Sequence, residues 1–320
     1  YDNDFSDTYS GAALGYKFLN KVWNISADAA FQWERNKIND LSVAEIYPLI
    51  NLSVGFSPSR KHSFRTYFHF GANYPGASEK TPNVLQQNEL MYYTGNPNLG
   101  LSRQVTFNLS YNWMPVNAFS ASAYFGEFNL YVPVYKPYNG GTALLRTFET
   151  DCNYNRTQIG MSFNYKLLNG NLQLAASPSV SLYRMSGLFD IRRSPFYCSA
   201  SATYYLGNFY FQASYQTKNL TVQGNRGVIY EDRDFYQMLA GWSRSGWNIR
   251  VSAMNMFRND WLCSTSKLMT PLYSETQFVN GNNFPRRLNL SVTYTFGYGK
   301  KVNRGNEVGE QYGAASAIMK

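Results

Sequence analysis

Strand-length stretches in which every second side chain is apolar recur along this chain, and they constrain its fold more than any other feature. From Val105 to Trp113 the odd positions are Val105, Phe107, Leu109, Tyr111 and Trp113, and the even ones are Thr106, Asn108, Ser110 and Asn112. Leu288, Leu290, Val292, Tyr294 and Phe296 alternate in the same way with Asn289, Ser291, Thr293 and Thr295. Successive side chains of a strand point to opposite faces, so each stretch has one apolar and one polar face. In a soluble sandwich the apolar faces would cover one another. Here so many long strands repeat the pattern that a membrane barrel, apolar outside and wet inside, is the natural architecture.

Composition supports this reading. Charged residues make up 15% of the chain, against about 25% in soluble domains, yet the mean hydropathy is −0.39. A helical membrane protein needs about 20 consecutive apolar residues per span, and the sequence contains no such run. Aromatics reach 17%, with 27 Tyr and 22 Phe, an excess that suits two interfacial girdles. Cys152, Cys198 and Cys263 are odd in number and lack CxxC spacing, so neither a disulfide framework nor a zinc site is indicated. Cys198 alternates with Phe196 and Ala200, as a lipid-facing residue would, whereas Cys152 and Cys263 fall in expected loops, where pairing is open. The net charge of +9 is partly local, with Lys300, Lys301 and Arg304 after the last strand. A basic face attracts anionic headgroups or ligands; no continuous basic and aromatic stretch points to nucleic acid.

Thirteen strands are expected, over residues 8–19, 22–35, 45–57, 62–73, 102–113, 117–132, 156–168, 171–184, 195–206, 208–217, 234–244, 247–257 and 286–297. One changes parity near Gly126 and Glu127, which marks a β-bulge or the end of the membrane-embedded part. Tight connections, among them 19–21, Met114-Pro115-Val116, 168–170 and 245–246, alternate with longer loops near 36–44, 74–101, 133–155, 185–194, 218–233 and 258–285. Asn169-Gly170 is a preferred type I′ pair. Outer-membrane barrels show this alternation, with short periplasmic turns and long extracellular loops. The expected layout is a barrel over residues 1–297 and a polar periplasmic tail over 298–320. An odd strand count that begins outside suggests further barrel strands upstream, because single-chain bacterial barrels have even counts.

Three segments resemble the C-terminal part of the barrel of TonB-dependent outer-membrane receptors. Tyr93-Thr94-Gly95-Asn96-Pro97-Asn98-Leu99 is similar to the family's Gly-Asn-Pro-x-Leu element, although Gly100-Leu101-Ser102 follows in place of Lys-Pro-Glu. Val251–Phe257 resembles a penultimate strand ending Asn-Leu-Phe, and Leu290–Gly297 resembles a closing strand ending Tyr-x-Phe. The chain departs from the commonest pattern by continuing past Gly297 to Lys320. The resemblance implies an all-β antiparallel transmembrane barrel, about thirteen strands of a barrel of roughly twenty-two. Its implied partners are outer-membrane lipid, a plug domain and the TonB complex, neither of the latter in this chain, with a surface lipoprotein as a further candidate.

The family implies uptake of a scarce solute, such as a glycan or siderophore, captured by extracellular loops without covalent chemistry or cofactor. The other reading of the barrel is a passive pore or surface-interaction scaffold without TonB coupling. Tyr92, Tyr93, Asn96, Asn98, Tyr135, Tyr138, Asn139, Arg226 and Tyr230 are the candidate ligand-binding residues, because rings beside amides suit sugars or planar chelates. The aromatic girdle is the competing role for each tyrosine. Asp28, Glu34, Arg65, His69, Lys166 and Arg250 fall on polar faces and are expected to line the lumen. An enzyme would need a nucleophile and base in reach of each other. His62 and Ser63 are adjacent and so point to opposite faces. Ser63 and His69 share a face but stand roughly 20 Å apart along a strand. No metal-ligand spacing is visible.

Overall fold

The computed structural model describes residues 5–38, 41–114, 118–258, 262–270, 272–280 and 286–296. The expected 298–320 tail, with Lys300, Lys301 and Arg304, lies outside the described residues, as do Gly297 and the turn residues Pro115 and Val116. Twenty strands follow one another: β1 (Phe5–Leu19), β2 (Trp23–Ile38), β3 (Leu41–Ser59), β4 (His62–Asn73), β5 (Leu85–Asn88), β6 (Met91–Tyr93), β7 (Ser102–Trp113), β8 (Ala118–Pro137), β9 (Leu144–Leu167), β10 (Leu172–Gly187), β11 (Ile191–Arg193), β12 (Phe196–Leu206), β13 (Phe209–Gln216), β14 (Asn219–Gln223), β15 (Val228–Asp232), β16 (Phe235–Arg244), β17 (Trp247–Met254), β18 (Leu262–Met269), β19 (Ser274–Asn280) and β20 (Arg287–Tyr294). The only helices among the described residues are the single turn α1 (Ala77–Lys80) and a 3₁₀ turn at Leu168–Gly170.

The thirteen expected strands form one continuous antiparallel path, β1-β2-β3-β4-β7-β8-β9-β10-β12-β13-β16-β17-β20. Each is joined to its neighbour by the next hairpin in the chain, so the sheet is a meander. The turn at the end of β9 puts Leu168, Asn169 and Gly170 all at positive φ, of 51°, 56° and 92°. The left-handed stretch thus begins one residue before the Asn-Gly pair. Ser245 and Gly246, at φ 49° and 84°, form the corresponding tight turn between β16 and β17.

Register fixes which face meets lipid. On β9, Ile159, Met161, Phe163, Tyr165 and Leu167 point one way, and Gln158, Ser162, Asn164 and Lys166 the other. The apolar row stays exposed, as it does on β20, where Leu290 is 69% accessible. A face this apolar is the one that hydrocarbon would cover. Near the short turns an outward aromatic row crosses from β2 to β9. Ring centroids lie 4.4 Å apart for Trp23–Phe56, 6.1 Å for Phe56–Phe64, 4.6 Å for Phe64–Tyr111, 6.3 Å for Tyr111–Phe119 and 5.2 Å for Phe119–Phe163. This is an interfacial girdle, and His62 belongs to it, its Nδ1 lying 2.9 Å from the Tyr111 hydroxyl.

Several strands far exceed the length of about 9–11 residues that spans a bilayer. β8 has 20 residues and β9 has 24, so their hairpin rises well above the membrane. The register passes unbroken through Gly126↔Arg156 and Glu127↔Asn155, and the bulge falls later, between Leu130 and Val132. The parity change at Gly126-Glu127 is therefore the end of the membrane-embedded part. Above it the faces exchange character: Glu127, Asn129, Asn153, Asn155 and Arg184 point outward, while Phe128, Leu130, Cys152, Tyr154, Tyr183 and Met185 point inward.

Those inward side chains need a cover, and two expected loops supply it. The 218–233 and 258–285 segments contain the four-stranded sheet β14-β15-β18-β19. Its Val222 and Ile229 join Val132, Cys152, Tyr154, Tyr183, Met185, Phe189 and Ile191 in a buried cluster. The principal core among the described residues therefore lies above the membrane, on the lumen side of the rim. Cys152 and Cys263 stand in β9 and β18 rather than in loops, and no cysteine forms a disulfide. Cys198 pairs in register with Pro178 on the outward face.

Candidate functional site

Between the rim and the second sheet lies a cavity of about 350 Å³. Tyr135 and Arg146 line it from β8 and β9, Arg226 and Tyr230 from the β14–β15 hairpin, and Glu275 and Gln277 from β19. Pro133, Val228 and Leu268 add apolar surface.

The β14–β15 hairpin is placed by close packing. The Tyr154 hydroxyl donates to the Val222 carbonyl at 2.9 Å. Gly224 lies so near Tyr154 and Leu130 that a Cβ would approach their carbons to 2.7 and 2.8 Å, and a Cβ on Gly227, which has φ +64°, would come within 2.6 Å of the Phe189 ring. Only glycine combines that approach with that backbone conformation. Arg226, between the two, donates its N–H to the Gln223 carbonyl at 3.2 Å and sends its side chain to the cavity.

The opposite wall is fixed by loop 74–101. Its β6 pairs in parallel with the start of β9, Tyr93 opposite Arg146. The Arg146 guanidinium lies 5.9 Å from the Tyr93 ring and 5.7 Å from the Phe148 ring. Burial pushes the Tyr93 hydroxyl above its usual pKa, with Arg146 opposing, and the hydroxyl donates to the Ser78 carbonyl. On the other side Tyr135 packs against Tyr273 with centroids 4.8 Å apart. The Tyr273 hydroxyl donates to Glu275 at 2.6 Å, which pushes the tyrosine up to about 12 and holds the carboxyl below its ordinary value.

Of the nine candidate ligand-binding residues, Tyr135, Arg226 and Tyr230 meet at this cavity. Tyr92 and Tyr138 instead stack on each other at 4.2 Å, and Asn139 occupies the β8–β9 turn at φ +50°. Asn96 is committed to architecture: its Nδ2 donates to the Phe148 carbonyl at 2.9 Å, and its Oδ1 accepts the Asn98 N–H at 3.0 Å. Arg146, Tyr273, Glu275 and Gln277 escaped sequence reasoning, because β9 and β19 were expected there as loop. The alternation of Glu275, Gln277 and Val279 with Thr276 and Phe278 is too short and mixed to signal a strand.

Gly95 explains its own place in this loop. A Cβ there would lie 2.6 Å from the Thr81 nitrogen and 2.7 Å from the Glu79 carbonyl atoms, all backbone. Gly95→Ala is expected to cost about 1–3 kcal/mol by overpacking. It should speed protease cleavage within 74–101 while the barrel keeps its heat-modifiable gel mobility; unchanged cleavage would count against this packing.

Within the wall, Asp28, Glu34, Arg65, His69, Lys166 and Arg250 all fall by register on the face opposite the apolar rows. His69 is held at both ring nitrogens, with Nδ1 2.7 Å from Asn51 Oδ1 and Nε2 2.8 Å from the Gln104 side-chain nitrogen. Tyr67 donates to the same Asn51 oxygen at 3.0 Å. Among the described residues no group of three or more His, Cys, Asp or Glu side chains could hold a metal ion.

No protein-family model matches the sequence, and no curated protein matches it significantly. Solved structures do match. The FrpB iron transporter from Neisseria meningitidis (F5-1 variant) is 14% identical over 91% of this chain and 46% of that one, with a TM-score of 0.60. The copper transporter OprC is 12% identical over 88% of this chain and 46% of its own, with a TM-score of 0.57. The siderophore receptor PirA from Pseudomonas aeruginosa is 10% identical over 82% and 57%, with a TM-score of 0.53. The chain thus spans about half the length of the structures it resembles. Its fold is that of the transmembrane β-barrel portion of TonB-dependent outer-membrane receptors, as the resemblance in its sequence implied.

Proposed function

We propose that this chain is part of an outer-membrane receptor that captures a scarce solute, a glycan, siderophore or similar molecule, at its extracellular face for TonB-dependent uptake. The observation that carries the reading is the cavity between the β8–β9 rim and the inward-folded second sheet, on the lumen side of the wall. Tyr135, Arg226 and Tyr230 are its ligand contacts. Asp28, Glu34, Arg65, His69, Lys166 and Arg250 keep the path below it polar or meet a plug. No covalent step is needed: binding is followed by rearrangement of the lumen filling. Structures of similar fold are named as transporting iron or copper or as receiving a siderophore, which agrees with solute uptake.

Uptake and passive leakage separate the receptor from a pore. Cells producing the protein are incubated with a panel of radioiron chelates and labelled oligosaccharides. One compound should accumulate, accumulation should stop on adding a protonophore, and surface binding in the cold should persist. Vesicles containing the purified protein should not swell in isotonic sugar. Rapid swelling with protonophore-insensitive entry would replace the receptor by a pore.

A further inference from the structure

The charge within the cavity is unbalanced in a way that selects a ligand. Arg146 and Arg226 stand on opposite walls, one on the rim and one on the β14–β15 hairpin. Neither has an ion-pair partner among the described residues. The Nε of Arg146 is buried and meets no acceptor there. A buried guanidinium N–H without an acceptor costs free energy unless something is bound to it. Glu275 is the single carboxylate among the lining residues, and both its oxygens are taken: Oε2 accepts from the Tyr273 hydroxyl and Oε1 from the Gln277 amide. It makes no ion pair with either arginine, so two guanidinium groups and one carboxylate leave the lining with a net positive charge.

We propose that Arg146 and Arg226 form a two-walled clamp for the oxyanion, carboxylate or sulfate, of a compact solute whose body rests on Tyr135, Tyr230 and the apolar floor. Planar guanidinium groups present paired donors to such an anion. The volume, about 350 Å³, lies at the low end of the roughly 300–1,000 Å³ typical of small-molecule sites. An acidic saccharide and a carboxylate chelate of a metal share the required chemistry. Because one guanidinium belongs to each wall, the bound anion also ties the second sheet to the rim. This inference rests on the receptor reading for the direction of delivery, but not for binding itself.

The test uses the membrane-extracted protein in detergent, titrated calorimetrically with four probes: a uronic-acid disaccharide, its neutral hexose counterpart, ferric citrate and inorganic sulfate. The uronate or the chelate should bind saturably, which tells the two sources apart, and the neutral disaccharide should not. R226Q should weaken binding at least tenfold, since a charge-assisted hydrogen-bonded contact is removed, and raising the salt should weaken it further. Arg226 is exposed, so this variant leaves the fold intact; R146Q and R146K then test the second arm, with the lysine retaining part of the affinity. Absence of binding by every anionic probe, equal affinity for the neutral disaccharide, or an unchanged affinity in R226Q would overturn the clamp. Protonophore-sensitive uptake of a neutral solute would leave the receptor standing and remove the clamp, whereas anion binding without energised uptake would do the reverse.

Discussion

Tyr154→Ala is expected to destabilise the layer formed by the rim and the second sheet by about 3–5 kcal/mol, the usual cost of removing a large ring from a packed core. Tyr154 is 7% exposed and sits where the rim strands meet the second sheet. Its ring lies 5.6 Å from Phe128 and 6.4 Å from Tyr183, and its hydroxyl donates to the Val222 carbonyl. The same ring is the surface on which Gly224 rests. Losing it removes the support of the hairpin that carries Arg226 and Tyr230. Hydrogen exchange should show β14 and β15 losing protection while the membrane-level parts of β9 and β10 keep theirs. Tyr154→Phe separates packing from hydrogen bonding. It retains the ring and should cost about 1–3 kcal/mol, the penalty of a buried carbonyl left unpaired. Native protection in the alanine variant would sink the idea that this cluster holds the sheet in place.

Met161→Arg carries the second large effect. Met161 stands in the middle of the outward row of β9, opposite Ala121, and is 45% exposed. An arginine facing lipid near the bilayer midplane costs about 2–4 kcal/mol. Asn164→Arg, on the opposite face of the same strand between Ala118 and Ala175, should cost almost nothing, because it points into the polar lumen. Denaturant unfolding in phospholipid vesicles measures both. Equal effects, or a larger one for Asn164→Arg, would reverse the assignment of the two faces.

The thirteen-strand wall was legible because each strand is long enough for its alternation to dominate local propensity, and because tight turns such as Asn169-Gly170 punctuate it. The parity change at Gly126-Glu127 was legible as an event but not as a kind of event. Only the register, with Glu127 opposite Asn155 and the bulge displaced to Leu130, identifies it as the membrane boundary. The second sheet was missed because β14 and β15 have five residues each, too few for a period of two to stand out. The aromatic and amide residues of the loops were seen, but not their roles. Asn96 and Arg226 look equally suited to ligand contact in the sequence; one spends its amide on Phe148 and Asn98, the other keeps its guanidinium for the cavity.

By itself the sequence determined the architecture of the wall: the number and order of its thirteen strands, the lipid face, and the end of the barrel at which the long connections lie. These follow from periodicity and turn chemistry, which are local. The tertiary structure alone decided the cavity and its charge, because Tyr135, Arg146, Arg226 and Glu275 come from separate segments. They meet only where strands longer than the membrane is thick carry an inward apolar face that two distant loops must fold over and bury.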